Sequence, residues 1–406
     1  MASASAVGLW SAPVREARSR DEQQSPLEAA AALAPRIRAA AEETERQRRL
    51  SAELVHALAS GGIFRMCVPR ALGGGEVDPS TMIQAIETIA AADGAAGWSA
   101  MIGATSGVAS AYLTEDAARE IYGSDPDVVT GGAFAPLGRA TVVDGGYRVT
   151  GRWPFASGCE HCGWLMGGSV VLDGGQPRLL SSGTPDNRLM LFPAAAVRII
   201  DTWDVAGLRG TGSHDIAVED RFVPAARSLS LLTDRPCFGG PLYTFPVFGL
   251  LALGIAAVAL GIARRAQGEL IALARGKTPS GSRRLLAERP VIQAEVARAE
   301  ATLGAARAFL LETVDAAWER AQARGAIEVR ERARLRLAAT HATLASARAV
   351  DLAYGAGGGT AVYAASPLQR CFRDIHVATQ HMMVAPATLE LAGRILLGLE
   401  ADTAML

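Results

Sequence analysis

The stretch Thr141-Val-Val-Asp-Gly-Gly-Tyr-Arg-Val-Thr-Gly-Arg-Trp-Pro-Phe-Ala-Ser-Gly158 marks a change of character in the chain. Residues 141–149 read as two strands around an Asp-Gly-Gly turn. In the second half, Trp153 and Phe155 supply flat apolar faces. Ser157 and Gly158 add a hydroxyl and an open backbone. That set reads as a platform for a ring system or as packed core.

Working outward, the residues that follow keep strand character. Trp164–Leu172 is an apolar run with Val170 and Val171, and Arg188–Phe192, Val197–Trp203 and Ile216–Val223 succeed it. A β domain over 128–228 is expected. The residues before it are helical over 26–127. Ser51 starts one helix that stops at Gly61-Gly62. Ser80 is expected to cap an apolar helix over Met82–Ala92, and another runs through Trp98 to Leu113. Residues 229–406 read as helical again, with long periodic segments at Glu288–Arg324 and Glu328–Tyr354 and a last part from Pro367 to Leu399. Residues 1–25 read as a disordered polar lead-in without the apolar core of a secretory signal.

Composition narrows the function classes. The 406 residues are 50% hydrophobic and 20% charged, which argues against wholesale disorder. Forty Lys and Arg against forty-one Asp and Glu give a net charge of −1, so nucleic acid and anionic membranes are not expected partners. Five cysteines are too few for a disulfide scaffold and fit a reducing, cytoplasmic compartment. Val247–Ala263 approaches the length of a membrane span. It is the only such stretch and is rich in Gly and Ala, so a buried core helix is expected.

Several motifs fall short of a site. Cys159-Glu-His-Cys162 lacks the second ligand pair that a structural zinc site needs, so no metal is expected. His341 lies between Leu337 and Leu344 and reads as a packed core residue. His376 and His381 are five apart, a poor spacing for a metal but chemically able to move protons near neutral pH. Gly355-Ala-Gly-Gly-Gly359 follows a helix, and neither dinucleotide-binding nor P-loop patterns occur, nor a Gly-x-Ser-x-Gly elbow.

Four strings together resemble the acyl-CoA dehydrogenase family: Val68-Pro-Arg-Ala-Leu-Gly-Gly-Gly75, Gly145–Gly158, Gly207-Leu-Arg-Gly-Thr-Gly-Ser213 with Val223-Pro224, and Arg370-Cys-Phe-Arg-Asp374. The resemblance covers the chain from about residue 30 to its last residue. It implies a mainly α fold with an N-terminal helical domain, a middle β-barrel-like domain and a C-terminal four-helix bundle, assembled as a homotetramer around flavin.

The departures are informative. Dehydrogenases of this family commonly carry their catalytic glutamate in a Tyr-Glu-Gly-Thr string after the Arg-Asp pair. This chain has His381-Met-Met-Val384 there. No acidic residue lies between Arg235 and Arg264, and Phe134-Ala-Pro136 replaces a Thr-Glu-Pro string. Without a carboxylate base, removal of a proton α to a thioester loses its agent. The chain is instead similar to the family's two-component flavin-dependent monooxygenases. Those receive reduced flavin, FAD or alternatively FMN, from a separate reductase and use O2 through a flavin C4a-(hydro)peroxide to oxygenate a small organic substrate. The resemblance places Trp153, Phe155, Ser157 and Gly158 at the flavin, with Phe155 packed on its ring and Ser157 near N5 or O4. It gives His381 an acid or base role. Trp98 is either on the substrate side or in the core. Arg283 and Arg284 would meet a flavin phosphate across a subunit interface or form a solvated loop. Two other readings stand beside this one: an acyl-CoA dehydrogenase with a displaced base, and a non-catalytic flavin-fold binding protein.

Overall fold

The computed structural model describes residues 25–406. The lead-in expected over 1–25 lies outside the described residues except for Ser25. That residue caps α1 (Pro26–Gln47) in a reciprocal box with Glu28. Ser51 caps α2 (Ala52–Ser60), which ends at Gly61 as expected. The next helix, α3 (Pro79–Ala92), begins earlier than Ser80. Its cap is Asp78, whose carboxylate accepts from the Thr81 N–H at 2.8 Å. Pro79 can take the first helical position because no partner is needed there for a backbone N–H. The Ser80 hydroxyl is thereby free to bond Asp315. Asp93 caps α4 (Gly94–Ser106), and a tight turn over Gly107–Tyr112 leads to the short α5 (Glu115–Ala118).

Eight strands follow: β1 (Thr130–Val143), β2 (Gly146–Trp153), β3 (Trp164–Asp173), β4 (Gln176–Pro177), β5 (Asn187–Pro193), β6 (Arg198–Ile200), β7 (Asp215–Pro224) and β8 (Ser228–Leu229). They form one sheet in the order β6-β7-β2-β1-β3-β5-β8, with β4 on β3. The outer strands β6 and β8 do not pair with each other, so the barrel-like domain is an open sheet among the described residues. The Asp-Gly turn pairs Val143 with Gly146, with Gly145 at φ +72°. Strand β1 runs parallel to β3 and shifts register between Ala133 and Gly138.

Trp153 sits inside this sheet. It has no exposed surface, and its Nε1–H donates to the Gly168 carbonyl at 2.6 Å. Its indole lies in a slot between Gly138, Gly151 and Gly167, where a Cβ would come within 2.4–2.6 Å of the ring. The expected flavin contact at Trp153 is therefore corrected. The first aromatic of the string is a strut of the sheet and presents no face outward.

The C-terminal part contains α6 (Pro241–Thr244), α7 (Val247–Gly276), α8 (Pro290–Arg324), α9 (Val329–Gly357), α10 (Pro367–Ala378) and α11 (Ala387–Leu396). Helices α7 to α10 pack as a bundle. The apolar α7 is long enough to cross a membrane, but 89% of its most apolar window is buried inside the protein. Its glycines explain the closeness. A Cβ on Gly261 would stand 2.4 Å from the Glu87 carbonyl oxygen of α3. His341 corrects its expectation: it is exposed on α9, with its ring edge on Phe309 at 6.0 Å between centroids.

Candidate functional site

Three of the expected residues meet where the helical parts face the sheet. The Trp98 Nε1–H of α4 donates to Ser157 Oγ at 3.0 Å. The Trp98 ring lies 5.8 Å from the His381 ring, tilted by 59°. Trp98 is thus neither simple core nor an open wall. It is buried and bridges the serine to the histidine.

Phe155 is joined to Ser157 through the backbone, the Ser157 N–H donating to the Phe155 carbonyl at 2.9 Å. The Phe155 side chain is 69% exposed, and its φ is +62°. Holding a bulky residue in that region costs about 1–3 kcal/mol, and such strain clusters at functional sites. A large ring held out to solvent by a strained backbone asks for an apolar partner. Trp203 touches its edge, 6.1 Å away and nearly perpendicular. Gly158 follows at φ +70°, and a Cβ there would stand 2.7 Å from His161 Nε2.

The loop that carries Ser157 is braced by the motif that looked like a metal site. Cys162 Sγ donates to the Gly158 carbonyl at 3.3 Å and Cys159 Sγ to the Gly212 carbonyl at 3.5 Å. Burial pushes the Cys159 thiol up to about 12 and the His161 imidazole down to about 4. These groups stay neutral and serve packing.

His381 sits at the turn after α10. Its Nδ1 accepts from the Met383 N–H at 3.2 Å, which leaves the ring proton on Nε2. Burial, assisted by the nearby Arg336 cation, pushes its pKa down to about 4. Arg336 is itself buried and donates to the Met383 carbonyl at 3.0 Å. The expected acid or base role is narrowed accordingly. At neutral pH His381 is an uncharged Nε2–H donor. Arg283 and Arg284 stand exposed on the loop between α7 and α8, outside this cluster, and make no side-chain hydrogen bond or ion pair among the described residues.

Sequence reading missed the residues behind Ser157. Ser157 Oγ lies 2.7 Å from Ser213 Oγ, and Ser213 Oγ lies 2.7 Å from Thr211 Oγ1. The Thr211 hydroxyl donates to the Leu208 carbonyl at 2.9 Å. All three come from the 207–213 string, whose alternate hydroxyls at 211 and 213 were the available signal. Leu208 has φ +50° although it is buried. It is held by Asp374, which accepts its N–H at 2.6 Å, and by Trp203, which donates to its carbonyl at 3.1 Å.

Asp374 also ties the site to pH. Its carboxyl is raised to about 7, chiefly by burial and then by the neighbouring Asp93. Arg370, Arg373 and Glu45 face the same cluster. A raised carboxyl favours folding in its protonated form, so this contribution is present below pH 3.8 and lost as pH rises through about 7. Asp374→Asn keeps an acceptor for Leu208 and removes the titration. Wild type is therefore expected to lose stability relative to Asp374→Asn between pH 5 and pH 8. Urea midpoints at the two pH values check this, and an unchanged difference refutes it.

A flavin ring suits the residues present. Phe155 offers an uncovered aromatic face, Ser157 a hydroxyl with an open acceptor position, and His381 a neutral N–H. No carboxylate hydrogen-bonds to Trp98, Ser157 or His381 among the described residues.

The chain matches two family models, "Acyl-CoA dehydrogenase, N-terminal domain" over residues 20–121 and "Acyl-CoA dehydrogenase, C-terminal domain" over residues 253–386. It is 38% identical over 365 residues to indole-3-acetate monooxygenase of Pseudomonas putida, covering 89% of this chain and 91% of that protein. It is 31% identical over 388 residues to the oxygenase component of the FADH(2)-dependent resorcinol hydroxylase of Rhizobium sp. strain MTP-10005, covering 91% and 93%. The crystal structure of the HsaA monooxygenase from Mycobacterium tuberculosis is similar with a TM-score of 0.86 and 32% identity, over 95% of this chain and all of that one (100%).

Proposed function

We propose, from the premise that this chain belongs to the acyl-CoA dehydrogenase family and within it to the flavin-dependent monooxygenases, that it is the oxygenase component of a two-component system. It takes reduced flavin from a separate reductase, consumes O2 and oxygenates a small aromatic substrate. The observation that carries this is the Phe155–Ser157–Trp98–His381 cluster, which has a ring platform, a hydroxyl and a neutral imidazole but no carboxylate base. When bound, reduced flavin supplies the electrons that activate O2 and leave one oxygen atom for transfer. Phe155 would hold the ring system on its exposed face. Ser157 would accept at the edge of that ring. Trp98 holds Ser157 in place and separates it from His381. His381, neutral with its proton on Nε2, would supply an N–H donor toward oxygen or substrate.

An aromatic substrate is supported by the likeness to the indole-3-acetate enzyme. FAD is the first choice of flavin and FMN the second. A homotetramer is supported by exposed apolar side chains on the C-terminal helices and turns, among them Tyr363 and Leu397 at 70% and 77% exposure. The free cysteines, four of the five buried, support a reducing, cytoplasmic setting.

The test is anaerobic mixing with chemically reduced FAD or FMN, followed by oxygenated buffer and rapid-scan absorbance. A long-lived spectrum distinct from both oxidised and reduced flavin is expected, and product should form once indole-3-acetate or a related aromatic is added. Failure to bind flavin in either redox state would sink this reading and favour a binding protein. Bleaching of bound oxidised flavin by an acyl-CoA would favour a dehydrogenase instead.

A further inference from the structure

We infer that Ser213 and Thr211 fix the direction of the Ser157 hydroxyl and thereby make the site prefer reduced over oxidised flavin. The inference rests on the flavin reading above.

Three oxygen contacts link Ser157 to Ser213 (2.7 Å), Ser213 to Thr211 (2.7 Å) and Thr211 to the Leu208 carbonyl (2.9 Å). Each hydroxyl owns one proton, so three contacts share three protons. A carbonyl cannot donate, so the Thr211 proton goes to Leu208. The Ser213 proton must then go to Thr211, and the Ser157 proton to Ser213. Any other assignment leaves at least one of the three contacts without a proton between its oxygens; full reversal of the chain empties the Thr211–Leu208 contact. Trp98 donates into Ser157 from the other side at 3.0 Å. Ser157 Oγ is therefore committed as a donor and half-committed as an acceptor. One acceptor position remains.

That position discriminates between redox states. Reduced flavin carries a proton on N5 and presents a donor. Oxidised flavin presents a bare N5 lone pair. A Ser157 that only accepts suits the first and opposes the second. Binding oxidised flavin would require all three protons to reverse, so that Thr211 no longer donates to Leu208. The Leu208 carbonyl would still keep the Trp203 Nε1–H at 3.1 Å. Reversal then costs one buried hydrogen bond, a roughly three- to tenfold preference for the reduced form. Ser213 and Thr211 act as positioning residues, because neither needs to touch the cofactor.

The experiment measures dissociation constants of the wild-type protein and variants for oxidised and dithionite-reduced FAD, and for FMN if FAD fails to bind. Ser213→Ala removes the acceptor that holds the Ser157 proton. Thr211→Val, of nearly equal shape, frees Ser213 to donate back and gives a second route to the same release. Both variants are expected to lower the ratio of oxidised to reduced dissociation constants about three- to tenfold, mainly by tightening the oxidised form. In a Ser157→Ala background, adding Ser213→Ala should change nothing, which general damage to the loop would not reproduce. Flavin binding with an unchanged ratio in both variants overturns the inference and leaves the proposed function standing. A ratio change that persists without Ser157 also overturns it. A wild-type protein that binds neither flavin overturns the proposed function, and the inference with it.

Discussion

Gly207→Ala is expected to cost about 3 kcal/mol of stability, the upper part of the usual range for overpacking a fixed structure. Gly207 has an ordinary φ, so backbone strain is not the reason. A Cβ there would stand 2.3 Å from the Arg373 carbonyl oxygen, 2.4 Å from its carbon and 2.7 Å from the Asp374 nitrogen. All three are backbone atoms of α10 and cannot swing aside as a side-chain tip does. The loop must move as a body, and it carries Leu208, Thr211 and Ser213 with it. The Leu208–Asp374 hydrogen bond would stretch and the hydroxyl chain behind Ser157 would come apart, so the preference for reduced over oxidised flavin should fall together with stability. Gly268→Ala is the matched control. Gly268 is an exposed interior position of α7 with no neighbour within 4 Å of the added carbon. There alanine should stabilise by about 0.5–1 kcal/mol. Urea unfolding followed by circular dichroism checks both. A Gly207→Ala protein as stable as wild type would mean that the seam between loop and α10 is looser than described.

His381→Ala is expected to cut oxygenated product about 100-fold while flavin affinity changes only a few-fold. The ring reaches the cluster through Trp98 and not through Ser157, so its loss leaves the flavin platform in place. Electrons from reduced flavin should then appear as hydrogen peroxide instead of product, and the ratio of the two is the quantity to measure. His381→Gln restores an N–H donor without a titratable group and should recover part of the coupling. With its pKa pushed down to about 4 by burial, His381 keeps one charge state from about pH 5 upward. The wild-type coupling ratio should therefore show no inflection near pH 6.5 arising from this residue. Full coupling in His381→Ala would remove the histidine from the chemistry.

The order of helices, sheet and helices was legible in the sequence because each signal is local. Apolar period separates strand from helix within a few residues. Asp144-Gly145 fixes a hairpin because the turn needs a residue that tolerates positive φ. Ser51 and Gly61 bound α2 because caps satisfy the end groups of that same helix. The resemblance strings pointed to Phe155, Ser157 and His381 for the same reason: each is a short run read in place. Tertiary structure decided where those residues sit and what they touch. Trp153 and Phe155 look alike in sequence, yet one is sealed in a slot whose walls are missing side chains at Gly138, Gly151 and Gly167, and the other is held in solvent. A slot made of absent atoms exists only once three strands are side by side. Asp78 displaced Ser80 as a cap through the geometry of one proline. The direction of the Ser157 proton depends on Thr211, Ser213 and the Leu208 carbonyl, and the charge of His381 on burial beside Arg336. Hydrogen-bond direction and desolvation are properties of neighbours in space, and the sequence names the groups without saying which of them meet.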